Sequence, residues 1–350
     1  MSNSEETFIV GYVGRHDCGE GLRAGINLDA GTRLLVESPL YTTSVNFLTD
    51  TPTEERESFV KQAFEQLPTH IREIAMELPN MEPFHLIQHP QLTSFTTQYS
   101  GIVKSNAIPY SLDRRAGGAE RIGIFPTLSR INHSCHPNAQ QTWNSELRAV
   151  TIHAFRDIAV NEEITISYAP EAIIDEKYLK DKYNFACSCE WCLAPAEVRA
   201  ESNNNRAEIV LRNEHLHNMI KAGLSEQDQG LAILAAKQLF TLLRTENIVD
   251  WRLGRLYLDC FDIVAERGNK QRGKIFAVLA FHVFDHCEGL DSDNVRRIKM
   301  RMEKLFGISK CDEDFLDWME DIEKEWKMLK RCQGGAILDW LFWKEIWPKS

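Results

Sequence analysis

The sequence predicts an α+β chain: a strand-rich first half with a helical insertion, a cysteine-rich segment, and an all-helical second half. Three observations predict it. Short runs of β-branched and aromatic residues, bounded by turn formers, fill the first half. Three cysteines crowd into "CSCEWC" at Cys187, Cys189 and Cys192. Beyond about residue 200, apolar residues recur at helical spacing.

In the first half "GTRLLVESPLY", "LRAVTIHAF" and "NEEITISY" read as strands between Gly, Pro, Asn and Asp. "TPTEERESFVKQAFEQLPTHIREIAMELP" (51–79) interrupts them. Its apolar residues recur every three or four and its ends carry proline, so a helical insertion is expected over about 50–95. The polar run "SNNNR", Ser202–Arg206, reads as a linker. After it, "LAILAAKQLFTLLRTE" and "GKIFAVLAFHVFDHC" are helical, in a pattern resembling a tetratricopeptide-type array without a clean period. The tail from Asp312 holds five of the eight tryptophans and reads as a docked amphipathic helix, with a partner-binding helix as the alternative.

A chain of 350 residues exceeds one ordinary core, which favours two domains or one elaborated domain. With 43% hydrophobic and 26% charged residues it is globular in composition. A net charge of -11 argues against a surface that grips nucleic acid, so no direct nucleic-acid partner is expected. "MSNSEETFIV" has acids where a signal peptide needs basic residues, and no apolar run approaches the ~18 residues that span a bilayer. The expectation is an intracellular protein, in cytoplasm or nucleus or both, with no membrane partner and with its nine cysteines reduced. That also sets aside "NHS" at Asn132 as a glycosylation sequon.

The C-x-C-x-x-C array places three thiols where they can converge on one small cation, and zinc prefers four soft ligands in a tetrahedron. Spacing alone leaves the fourth ligand open among Cys18, Cys135, Cys260, Cys287, Cys311 and Cys332. The last four sit in helical patterns, where cysteine commonly acts as a small hydrophobe. Unligated thiols are the alternative to a metal. Cys135 stands in "SRINHSCHPN", where a nucleophilic couple with His133 or His136 is a further possibility.

Four blocks occur in a telling order: "CGEGLRAGINLDAGTRLLVESPL"; "SNAIPY" followed by "GIFPTLSRINHSCHPN"; "RDIAVNEEITISY"; and "YNFACSCEWC". Together, from about Gly11 to Cys192, they resemble the SET-domain methyltransferases, specifically the SET-and-MYND branch and fungal relatives without the MYND finger. The resemblance implies a β-clip fold with a pseudoknot over residues 1–170, a post-SET zinc segment over 171–201 and a helical domain over 207–350. It implies an enzyme that transfers a methyl group from S-adenosylmethionine to a protein lysine, histone or not.

By the same resemblance Cys135 joins Cys187, Cys189 and Cys192 around a structural zinc, which sets the nucleophile aside. Gly19, Glu20, Gly21 and Leu22 match the loop against the cofactor's methionine moiety, where glycines let backbone approach a ligand. Asn106 matches an asparagine near the cofactor's amino-acid end. Asn132 and His133 match the pair that meets its amino group and adenine, and Phe185 matches an aromatic packed on adenine. Tyr168, ending a strand, matches the catalytic tyrosine that faces the transferring methyl, and Tyr183 matches a second tyrosine lining the lysine channel.

Departures are also present. No cysteine lies between Tyr41 and Gln98, where a MYND finger is expected, and Asn161 stands where a glycine is usual. Asparagine tolerates the left-handed turn this position implies. Two other readings compete: a SET-fold binding module whose C-terminal helices recruit a protein partner, and an enzyme that methylates a small molecule.

Overall fold

A computed structural model describes residues 8–12, 20–80, 98–110, 121–168, 179–180, 183, 185–265, 268–307, 317–324, 327 and 341–342. The chain divides into two compact units: Met1–Ile166 with Glu176–Cys187, and Ser167–Asp175 with Ser188–Ser350.

Among the described residues the first unit contains three small sheets. β1 (Phe8–Tyr12), β2 (Glu20–Ala24), β10 (Glu163–Ile166) and β7 (Asn132–His133) form one, in the order β1-β2-β10-β7. β3 (Arg33–Glu37), β9 (Ala149–Ala154) and β8 (Ala139–Asn144) form the second, and β4 (Tyr41–Ser44), β6 (Arg121–Ile124) and β5 (Ile108–Tyr110) the third. Each of the three runs read as strands contributes one: Arg33–Glu37, Ala149–Ala154 and Glu163–Ile166. All six residues of β9 are buried, as expected of a central strand. The pairing that matters most is β10 with β7. It is parallel, setting Thr165 beside Asn132 and Ile166 beside His133, although β8 and β9 intervene in the chain.

The described part of the insertion is helical, with α1 (Phe47–Asp50), α2 (Thr53–Glu65) and α3 (Thr69–Met76), and its expected stretch over 81–95 lies outside the described residues. Pro68 divides α2 from α3 because its ring cannot continue the helix behind it and its fixed φ suits a helix start. α4 (Gln98–Asn106) packs on α2, and Val60, Phe64, Ala75, Ile102 and Val103 form a shared apolar centre with Ile122 and Ile124 of β6.

Among its described elements the second unit is all-helical: α5 (Ala196–Ala222), α6 (Glu226–Thr245), α7 (Trp251–Ala265), α8 (Lys270–Glu288) and α9 (Asp293–Phe306). Their starts carry side-chain caps where the sequence offers them: Ser225 and Asp228 form a reciprocal box, and Asn269 and Ser292 each accept a first-turn N–H. α7 and α8 lie at the centre, in close contact at Gly254, where a Cβ would stand 3.1 Å from the Phe284 ring. Phe261, Phe276 and Phe284 are fully buried there. The tail reaches this core too. Phe342 is buried, its ring centroid 5.1 Å from Phe240 and 5.5 Å from Phe276. The buried Arg272 donates from Nε and Nη2 to the Leu341 carbonyl at 3.0 and 2.6 Å.

One expectation is overturned. Ser202–Arg206 is not a linker but the second and third turns of α5. Ser and Asn are poor helix formers because their side chains compete for backbone groups. Here those side chains are engaged elsewhere, Ser202 and Asn205 both bonding Glu246, so tertiary contacts override local preference.

Candidate active site and metal centre

The segment from Thr127 to Asn138 is stitched to its surroundings at every few residues. Glu37, on β3, accepts the backbone N–H groups of Thr127 and Leu128 at 2.9 Å, one on each carboxylate oxygen. These are the N–H groups at the start of a short 3-10 turn, Leu128–Arg130, where a negative charge is favoured. Burial pushes the Glu37 carboxyl above its ordinary pKa, against the pull of those hydrogen bonds. Ser129 donates to the Asn106 carbonyl at 3.0 Å. Asn106 ends α4, buried, and its amide donates to Pro79 O at 2.6 Å and Ile102 O at 2.8 Å.

The chain then enters β7. Ser134 N–H donates to Ile166 O at 3.0 Å, extending the parallel pairing. Asn132 Nδ2 donates to Glu163 Oε1 at 2.9 Å. Asn138, 1% exposed, fastens the far end: its Oδ1 accepts Thr165 N–H at 2.8 Å, and its Nδ2 donates to Glu163 O at 2.8 Å and Glu162 Oε1 at 3.0 Å. The segment is thus tied at its start to β3 and α4 and from Asn132 to Asn138 against β10. Glu162 sits below the usual carboxylate range: although burial works the other way, Arg156, the Ala159 N–H and Asn138 all favour its charge.

His133 is 4% exposed. Its ring centroid is 6.2 Å from that of Phe185, which in turn is 6.5 Å from that of Tyr183. Tyr168 is half-buried, two residues past the end of β10. Gly21 and Leu22 are buried on β2, paired with Gly11 and Val10 of β1 on one side, with Leu22 facing Ile164 of β10 on the other. Glu20 begins that strand, and Gly19 lies outside the described residues. Of the expected site residues, His133, Phe185 and Tyr183 are thus brought together in one aromatic row, and Asn132 adjoins it.

The thiols of Cys135, Cys187, Cys189 and Cys192 lie within 4.8 Å of one another. Cys135 Sγ is 3.9 Å from Cys187 Sγ and 3.5 Å from His133 Nε2. A zinc–sulfur bond of about 2.3 Å in a regular tetrahedron sets sulfurs about 3.8 Å apart, so the spacing fits a zinc site closed by four cysteines. The turn Cys189–Ala194 aids this: Leu193 N–H donates to Cys189 O at 3.0 Å, a helical step that brings side chains three apart to one side. Cys260 and Cys287 are buried in α7 and α8, and Cys18, Cys311 and Cys332 lie outside the described residues.

Residues 19–169 match the family model described as the SET domain. Over those residues the chain carries a SET domain. Over 311 residues the chain is 28% identical to the histone-lysine N-methyltransferase set5 of Schizosaccharomyces pombe, covering 86% of each chain. It is 28% identical over 149 residues to the human histone-lysine N-methyltransferase SMYD3, covering 40% of this chain and 32% of that one. With mouse Smyd1 the figures are 33% over 122 residues, 29% and 24%. The SET domain therefore sits with set5 and SMYD relatives, as the four sequence blocks implied, and the all-helical second unit follows it. No helix among the described residues is long and apolar enough to cross a membrane.

Several residues of the SET site lay outside the sequence reading: Glu37, Asn138, Glu162 and Glu163. All four stand inside the quoted blocks, but nothing in their spacing distinguishes a buried cap or stitch from a surface polar residue.

Proposed function

We propose that this SET-domain protein is an S-adenosylmethionine-dependent protein-lysine N-methyltransferase. The observation that carries the reading is the parallel β7–β10 pairing, which holds Asn132 and His133 against the strand that leads to Tyr168. The named activity of set5 and SMYD relatives supports it, and implies a protein substrate, histone or not. In this reading the catalytic part ends near residue 170, the segment over 171–201 supplies three of the four metal ligands, and the helical part begins with α5 at Ala196 rather than at 207.

The residues present suit the cofactor. The backbone of the strand that begins at Glu20 and carries Gly21 and Leu22 lines the methionine end in this reading, and Gly19, which the resemblance adds, lies outside the described residues. Asn106 and Asn132 supply amide groups there, and His133 with Phe185 supplies a ring nitrogen and an aromatic face for adenine. When bound, S-adenosylmethionine supplies an electrophilic methyl on a sulfonium. The four thiolates suit zinc in a closed structural site with no position for water, fixing the segment that carries Tyr183 and Phe185. His133 Nε2, 3.5 Å from Cys135 Sγ, donates to that sulfur in this reading and is oriented by it.

A free lysine has a pKa of about 10.4, so deprotonating it costs roughly 4 to 5 kcal/mol at neutral pH. A dry channel lined by Tyr183 lowers that cost by disfavouring the ammonium. Tyr168 directs its hydroxyl at the reaction centre, and Tyr183 at the amine, so that alignment supplies much of the rate. No strong general base is required.

The test is transfer of tritiated methyl from S-adenosylmethionine to histones and to proteins of a heat-treated cell extract. Label on protein bands is expected, falling by on the order of 100-fold in Tyr168→Phe while donor binding by equilibrium dialysis stays within a few-fold. Tight donor binding with no label anywhere overturns the enzyme in favour of a binding module. Label confined to the low-mass filtrate overturns the protein substrate.

A further inference from the structure

The second unit contains a buried polar chain that ends on the cysteine-bearing turn. Trp191 lies on that turn, between Cys189 and Cys192. Its indole N–H donates to Ser202 Oγ at 2.9 Å. Ser202 lies in α5 and Glu246 is the C-terminal cap residue of α6; they are 9% and 8% exposed. The direction of the chain is forced, because an indole only donates and a carboxylate only accepts. Ser202 therefore receives from Trp191 and donates its own hydroxyl proton to Glu246 Oε2. Asn205 Nδ2 donates to the other oxygen at 2.8 Å, and Arg206 Nε lies 3.4 Å from Oε2. The Arg206 guanidinium also covers the Trp191 ring, its carbon 4.9 Å from the centroid. Trp191 is thus gripped at its N–H and across its face.

We propose that Glu246 is a positioning residue of the metal centre: through Ser202 and Trp191 it holds the turn that presents Cys189 and Cys192. The proposal rests on the zinc reading above. A turn of six residues has few internal bonds, so two of the four thiols keep their placement only if the turn is anchored from outside. The anchor is supplied by the helices. Outer groups that fix ligand orientation commonly change metal affinity by about 10- to 100-fold. The same arrangement accounts for polar residues of a Ser–Asn–Asn–Asn–Arg run inside a helix: Ser202, Asn205 and Arg206 all meet the carboxylate, and Arg206 also packs on the indole.

The experiment uses full-length protein isolated with its zinc and follows release of the metal to a pyridylazo-resorcinol chelator. Glu246→Gln removes the charge and one acceptor, and Trp191→Phe removes the N–H while keeping a ring. Glu208→Gln, in an exposed i,i+4 pair with Arg212, is the control. Zinc release about tenfold faster is expected in both variants, with the double variant no faster than the singles, because both break one chain. The helical melting temperature read by circular dichroism should move far less than the release rate. Should Glu246→Gln fail to fold, Trp191→Phe carries the test. Release rates equal to the unaltered protein, or single effects that multiply, overturn the proposal. Unaltered protein isolated without zinc overturns the metal reading itself, and the proposal with it.

Discussion

Leu28 and Ile158 donate backbone hydrogen bonds to each other's carbonyls, both at 2.9 Å. The turns around them match at a constant offset. Asn27 accepts Val160 N–H and Asp157 accepts Ala30 N–H, each at 2.9 Å. Ala24 N–H reaches Glu162 O as Ala154 N–H reaches Thr32 O, at 2.9 and 3.0 Å. Gly31, at φ 88°, has Asn161 as its counterpart, at φ 67°. The two turns clasp one another with nearly two-fold regularity, and this clasp aligns β2 with β10 beneath the site.

Asn161 should accordingly be replaceable by glycine but not by a β-branched residue. A left-handed backbone costs an ordinary L-residue about 1–2 kcal/mol. Asn161→Val should lose that much in urea unfolding, and Asn161→Gly should stay within about 0.5 kcal/mol of the unaltered protein. Equal losses would show that the side chain, not the φ angle, is what the position demands.

Glu162 should give the protein part of its acid sensitivity. Its folded pKa lies below the ordinary value, so its stabilisation is present above the unfolded pKa of about 4.3 and is lost as pH falls through the folded one. The stability gap between the unaltered protein and Glu162→Gln should therefore be full near neutrality and close as the pH falls below about 4. Urea midpoints measured across that range decide it. A gap that stays constant assigns the effect to packing and not to charge.

Much of the strand framework was legible because β-branched runs end at turn formers, as at "LRAVTIHAF", and the metal cluster was legible because thiols three apart announce themselves. What escaped was polar and long-range. Glu37 reads as one more strand-end acid until its two oxygens meet Thr127 and Leu128, about ninety residues on. Asn138 looks like a turn residue until β10 is laid beside it. Ser202–Arg206 looks like a linker because its helix is dictated by Glu246, which no local window contains. Local pattern reports which face is apolar, not which distant group will satisfy a buried polar one.

Removing one thiol should empty the metal site as a whole. Cys135→Ser should isolate with its zinc content by plasma mass spectrometry well below one per chain, since a tetrahedral site closed by three thiolates lacks its fourth bond. Cys260→Ala, buried in α7, should keep the metal of the unaltered protein. Full zinc in the first variant would place the fourth ligand elsewhere.

Phe342→Ala should destabilise the helical unit by about 3–5 kcal/mol, the cost of emptying a fully enclosed aromatic site. Its neighbours Phe240 and Phe276 belong to α6 and α8, so the loss should appear as a lower urea midpoint of the whole unit. A midpoint that does not move would mean that the tail dissociates without disturbing those helices.

The grip of Arg272 on the Leu341 carbonyl bears on how the polypeptide is made. Helices α6 to α8 leave the ribosome long before residues 341 and 342 do, and a cationic guanidinium enclosed without those residues is costly. During synthesis the helical half must wait, partly assembled, for a short closing segment to emerge. A chain interrupted shortly before Leu341 would leave the helical unit without that closing segment, loosened and prone to chaperone binding.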